Sequence, residues 1–157
     1  MNGGTLSLAL VCILGVLLVA AALTDIRSRT IANGLTATIA LLAPVYWYAS
    51  GLAVWPDMAI QIGVAFGVLA LFSIAFMLGQ MGGGDVKLLA ALALWLPILS
   101  LGRTIVVMAL AGGALTLAML AWHRFAKSRK PLEIPYGVAI SFAGLWTLTQ
   151  RYLHQFA

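Results

Sequence analysis

The sequence predicts an all-α, polytopic transmembrane helical bundle of about six spans. Of its 157 residues, 63% are hydrophobic and only 8% charged, against roughly a quarter charged in soluble domains. Mean hydropathy is +1.07. Several apolar runs approach the roughly 20 residues that cross a bilayer core, and they are continuous where the strands of a closed barrel would alternate. Residues 1–157 read as a single integral-membrane domain, with no internal repeat, low-complexity tract or second unit.

The first span, Thr5–Thr24, ends in Ala20, Ala21 and Ala22 as a signal peptide does. No Lys or Arg precedes it and its apolar run is long, so a retained helix is expected. Cys12 within it has no cysteine partner and no zinc-ligand spacing, which leaves packing as its role. The second span, Asn33–Ser50, and the fourth, Val86–Ser100, are the shortest; their Pro44 and Pro97 mark kinks or ends. The third, Met58–Gly79, contains Gly63-Val64-Ala65-Phe66-Gly67, and the fifth, Arg103–Trp122, contains Ala111-Gly112-Gly113-Ala114. Small residues of this kind let membrane helices approach closely. The sixth span is Tyr136–Leu153. Tyr46, Trp47, Tyr48, Trp55, Trp122, Tyr136 and Tyr152 lie near span ends, where amphipathic rings suit the interface.

Loop charge sets the orientation. The net charge of +5 does not indicate nucleic-acid binding, because the basic residues are few and sit in connections. Arg27, Arg29, Lys87, Arg124, Lys127, Arg129 and Lys130 fall on one side and only Arg103 and Arg151 on the other. The positive-inside rule then places both termini on the outer side and the richer side in the cytoplasm. The segment from Arg124 to Lys130 also suits contact with anionic lipid.

Asp25 and Asp85 stand at the cytoplasmic ends of the first and fourth spans, in a chain with four acidic residues in all. A carboxylate at a membrane segment is costly unless paired, hydrated or used. Two close carboxylates can share one proton, so that one draws a proton from water while the other protonates a carbonyl oxygen or leaving amine. The helix ends suggest Asp85 as general base and Asp25 as general acid, with Arg27 and Arg29 able to reverse that order. Gly82, Gly83 and Gly84 before Asp85 offer positive φ and close approach of a substrate strand, although glycine followed by aspartate is also a common helix cap.

The other polar residues point elsewhere. Asp57, beside Trp55 and Pro56, reads as a loop or capping residue, and Glu133 as balancing the basic segment near Lys130 and Pro131. His123 and His154 read as interface histidines without a metal-site pattern. No motif surrounds a serine or threonine nucleophile.

These residues resemble the prepilin peptidases, membrane aspartic proteases with a GxGD motif. Asp25-Ile26-Arg27-Ser28-Arg29-Thr30-Ile31-Ala32-Asn33 resembles the family's first motif, Gly82-Gly83-Gly84-Asp85-Val86-Lys87-Leu88 its second, and Pro135-Tyr136-Gly137-Val138-Ala139-Ile140 a late motif opening the last helix. One departure is Ala32, where the family usually has proline. The short chain is similar to the compact peptidases of Flp or Tad pilus systems. It lacks the paired cysteines and the cytoplasmic region of larger relatives that also methylate the pilin, so methyltransferase activity is not expected.

The resemblance implies a substrate with a short basic leader and an apolar helix, cut on the cytoplasmic side. It implies Asp25 and Asp85 as the catalytic pair, with Gly82, Gly83, Gly84 and Lys87 supporting the catalytic loop. Pro135, Tyr136 and Gly137 would support the substrate site. No metal or organic cofactor is called for. The competing readings are a small proton-coupled transporter, which would carry its acids near mid-depth, and a noncatalytic scaffold of a secretion complex.

Overall fold

The computed structural model describes residues 3–125 and 134–156, with side chains as far as residue 151. Among them six helices follow in order: α1 (Gly3–Ser28), α2 (Asn33–Ala49), α3 (Ala59–Met77), α4 (Gly83–Ala93), α5 (Ile98–Phe125) and α6 (Tyr136–Phe156). A short irregular turn, Val54–Met58, leads into α3. Three helices are long and apolar enough to cross a membrane: α1, α3 with its leading turn, and α5. Lys127, Arg129, Lys130, Pro131 and Glu133 lie outside the described residues, as do the side chains of Tyr152 and His154.

The helices match the apolar runs in order and number, and their ends shift for local reasons. α1 continues to Ser28 and so takes in Asp25, which the sequence places after the span. It stops at Arg29, whose left-handed φ of 54° turns the chain while its N–H still bonds the Asp25 carbonyl. α2 accommodates Pro44 in its interior. The fourth apolar run splits: α4 ends at Ala93, and Pro97 stands just before α5, which starts five residues ahead of the expected Arg103.

Four helices close a ring through the contacts α1 with α2, α2 with α4, α4 with α6, and α6 with α1. Leu14 and Leu18 of α1, Ile39 of α2, Leu88, Leu89 and Leu92 of α4, and Ile140 of α6 are fully buried inside it. In lipid such contacts stabilise by close packing more than by escape from water. α3 lies outside α4 and α5 outside α6. Both present large apolar side chains outward, among them Phe66, Leu71, Val106 and Leu110. Successive helices run in alternate directions, so α1 and α3 end where α2 and α4 begin, while α5 runs on past the start of α6, where its Gly112 meets Tyr136.

At 11 residues, α4 is about 16 Å long and cannot cross a bilayer core of about 30 Å. Its carboxyl end therefore stops within the bundle, where carbonyls left without partners cost several kcal/mol each. Side chains from its neighbours serve them. Gln61 Nε2 of α3 donates to the Ala93 and Leu96 carbonyls at 2.8 and 2.6 Å, and Trp47 Nε1 of α2 donates to the Leu94 carbonyl at 2.8 Å. Trp95 in turn donates to the Ile39 carbonyl of α2 at 2.9 Å, and its ring stacks on Tyr46 with centroids 5.0 Å apart.

Several sequence expectations are corrected by this packing. Trp47 and Tyr46 are buried struts, whereas Tyr48, Trp55 and Trp122 are exposed as interface rings would be. Cys12 is exposed and does not pack. A Cβ added at Gly63 or Gly67 would meet nothing within 4 Å, so neither glycine admits a close helix, while one at Gly112 would meet Tyr136 and Ala139 of α6. Asp57 does cap its turn: its Oδ2 accepts the Ala53 N–H at 3.3 Å.

Candidate active site

Asp25, in the last turn of α1, and Asp85, in the first turn of α4, are only 4% and 7% exposed. Sixty positions apart in sequence, they face the same end of the four-helix ring, near enough for the charge on Asp25 to act on Asp85. The beginnings of α2 and α6 complete the surroundings.

Asp25 is seated on the amino end of α6. Its Oδ2 accepts the Val138 N–H at 3.3 Å, and the Gly137 amide also bonds the carboxylate. Amides of a first helical turn are a ready anion seat, and here the Val138 N–H is shared between Asp25 and the Pro135 carbonyl at 3.2 Å. Pro135, just before the helix, is buried, and its ring sets φ for the entry without wasting a donor. Arg29 adds a positive charge to the surroundings of Asp25.

Gly137 is required by space. A Cβ there would stand 2.8 Å from Asp25 Oδ2, 3.0 Å from Asp25 Cγ and 2.7 Å from Ile31 Cδ1. On the other side Ile31 reaches the start of α4, where a Cβ on Gly84 would lie 3.2 Å from Ile31 Cβ. Ile31 thus wedges between the glycines next to the two carboxylates and sets the spacing of α4 and α6.

Asp85 reaches back to accept the Gly82 amide, the carboxylate half of a capping box. Capping and proximity to Asp25 are therefore properties of one side chain. A Cβ on Gly82 would lie 2.8 Å from Asp85 Oδ2, and one on Gly83 would lie 3.3 Å from the Phe76 ring. These glycines serve by lacking side chains. Gly82 has φ −72° and ψ 145°, and the positive-φ glycine of this connection is Gly79, at φ 70° after α3. Burial, then the negative charge of Asp25, push the Asp85 carboxyl up to about 6, against the opposing pull of the Gly82 amide.

Lys87 lies on the outer flank, where its Nζ donates to Asn33 Oδ1 at 3.0 Å. The pair forms the polar edge of an otherwise apolar cavity of about 410 Å³ between α2, α3 and α4, lined by Thr36, Ala40, Ala65, Phe66 and Ala91 among others. Tyr136 is half-buried against Gly112 of α5. The structure thus gathers Asp25, Asp85, Gly82, Gly84, Pro135 and Gly137 at one place, with Gly83, Lys87 and Tyr136 on its borders.

Sequence reasoning does not single out Ile31, Asn33 or Val138. Ile31 and Asn33 fall within the first motif, and their adjacency to Asp25 is the available signal; a backbone amide such as that of Val138 leaves no trace in residue type. Among the described residues no group of three His, Cys, Asp or Glu side chains could hold a metal ion.

The model of the type IV leader peptidase family matches residues 12–121, a stretch that includes both aspartates and stops short of α6. No curated protein and no solved structure gives a significant match.

Proposed function

Because the chain belongs to the type IV leader peptidase family, we propose that it is a membrane aspartic endopeptidase removing the leader from Flp/Tad-type prepilins, with Asp25 and Asp85 as its catalytic pair. The observation that carries this reading is the meeting of two buried carboxylates from α1 and α4 at one end of the bundle. A proton-coupled transporter would call for acids near mid-depth, and these occupy a last and a first helical turn.

The surroundings of each carboxylate support a division of roles. Asp25, held by the amides of α6, is the base that takes a proton from the attacking water. Asp85, which keeps its proton up to about pH 6, gives it to the carbonyl oxygen and then, by way of the tetrahedral intermediate, to the leaving amine. This reverses the order suggested by the ends of α1 and α4 alone, because the amide end of α6 answers the carbonyl end of α1. General acid and general base catalysis each contribute typically 10²–10⁴-fold. No covalent intermediate forms, and the proton on Asp25 returns to Asp85 between turnovers.

The apolar cavity beside Lys87 and Asn33 supports a substrate that enters with a hydrophobic segment against α2, α3 and α4, its basic leader remaining at the polar end. Arg27, Arg29, Lys87 and Arg124 belong to the end that carries the aspartates, and Arg103 and Arg151 to the other. That asymmetry favours cleavage at the cytoplasmic face of the inner membrane with both termini in the periplasm. The deciding experiment is co-expression with a Flp-type prepilin and mass-spectrometric mapping of the pilin's new amino terminus. Wild type yields one cut after the leader, while D25N and D85N leave the precursor intact though still inserted. Full processing by either variant would refute the catalytic pair.

A further inference from the structure

Independently of the peptidase reading, we propose that the groove between the start of α5 and the end of α6 binds one anionic phospholipid, its headgroup phosphate held by Arg103 and Arg151. The groove is a cavity of about 910 Å³ at the end of the bundle away from the aspartates. The two helices are tied there by the hydrogen bond between Thr104 and Thr147 hydroxyls at 2.8 Å, while Gly112 meets Tyr136 towards the other end.

Arg103 and Arg151 are all the Lys and Arg that the sequence places on that side, and they line the same groove together with Gln150. No acidic side chain among the described residues lines it. Two guanidinium groups brought to one concavity without a carboxylate repel each other unless an anion joins them, and their planar donors match phosphate oxygens.

Apolar side chains flank the arginines along the groove, with Ile98 and Leu99 at the outer start of α5 and others further inward. Val106 and Val107 lie one turn inward from Arg103, and Trp146 lies five residues inward from Arg151. That is about 5–8 Å at 1.5 Å per residue, the step from a headgroup to the first acyl carbons. A free anion would use the arginines and leave the apolar floor bare. A phospholipid uses both, and the floor belongs to helices whose outward faces are already apolar, such as Val106 and Leu110.

The test uses the full chain, delipidated in detergent and followed by native mass spectrometry with phosphatidylglycerol or phosphatidylcholine of matched acyl chains. Wild type should retain one phosphatidylglycerol about tenfold more tightly than phosphatidylcholine. R103Q/R151Q should lose that preference, and R124Q, at the opposite end, should keep it. Inorganic phosphate at the same concentration should not displace the lipid. Equal retention of the two lipids by wild type, a preference that survives in R103Q/R151Q, or displacement by inorganic phosphate would each overturn the proposal. The wild-type comparison needs no variant to fold. Should the double variant fail to fold, R103Q and R151Q singly carry the same test, each expected to weaken the preference.

Discussion

Replacing Gly137 by alanine probes the proposed site with one methyl group. The new carbon would lie 2.8 Å from Asp25 Oδ2, 3.0 Å from Asp25 Cγ and 2.7 Å from Ile31 Cδ1, whereas relaxed contacts are about 3.5–4.0 Å. The Ile31 methyl can swing aside. The carboxyl group must retreat by roughly 0.5–1 Å, away from a Val138 amide that is already 3.3 Å distant. Loss of a charge-assisted hydrogen bond is worth about 1.5–3 kcal/mol, or roughly 10–150-fold in rate if that bond holds the base. Displacement of a reacting group by about 1 Å costs on the order of 10²-fold. Both routes place Gly137→Ala between about 10- and 100-fold below wild type in initial cleavage rate, with about 1–3 kcal/mol of overpacking. Gly144→Ala is the matched control: its Cβ would crowd Leu92 and Leu18 at 2.9 and 3.0 Å, costing stability without touching Asp25. The assay is cleavage of a purified prepilin followed by mass spectrometry, beside thermal unfolding in detergent. Gly137→Ala cleaving within about twofold of wild type, or Gly144→Ala losing as much rate at equal stability, would refute the reasoning.

Asp25→Asn and Asp85→Asn should each lower cleavage by more than about 100-fold, measured on inserted, folded protein. The acid role of Asp85 predicts a rate that falls as pH rises through about 6, read from a pH–rate profile. The same proton sets a stability trend. Because the folded carboxyl lies above its ordinary 3.8, its contribution is complete below that value and is lost as pH rises through about 6, and Asp85→Asn should flatten this part of the melting profile. Gln61→Leu should lower stability by about 1–3 kcal/mol in thermal or denaturant unfolding, since it strands the Ala93 and Leu96 carbonyls inside the bundle. Ala32→Pro should raise it by about 0.4–1 kcal/mol, since Ala32 already holds φ −62°, which the proline ring requires.

The number and order of the helices are legible in the apolar runs because each is bounded by glycine, proline or charge. The common depth of Asp25 and Asp85 is legible too, since it follows from counting alternate ends. The end of α4 is not: Leu94, Trp95 and Leu96 are as apolar as the helix before them, and only the donors on Trp47 and Gln61 make a stop at Ala93 tolerable. Gly63 and Gly67 have the composition of a packing face, yet composition does not say which way a helix is turned when all its sides are apolar. The seating of Asp25 on α6 depends on lateral packing between segments more than a hundred residues apart, and the groups that do it are backbone amides.

The side-chain latch at the far end of α4 makes that helix a spacer of fixed length. Asp85 is at one end of it and the carbonyls held by Trp47 and Gln61 are at the other. Inserting one residue between them would rotate Asp85 by about 100° and move it about 1.5 Å along the axis, so the carboxylate and the latch could not both be satisfied. Length variation in chains built to this plan should therefore collect outside the interval from Gly82 to Leu96, in the connections after α2, α3 and α5. An inserted tag or reporter domain belongs there as well.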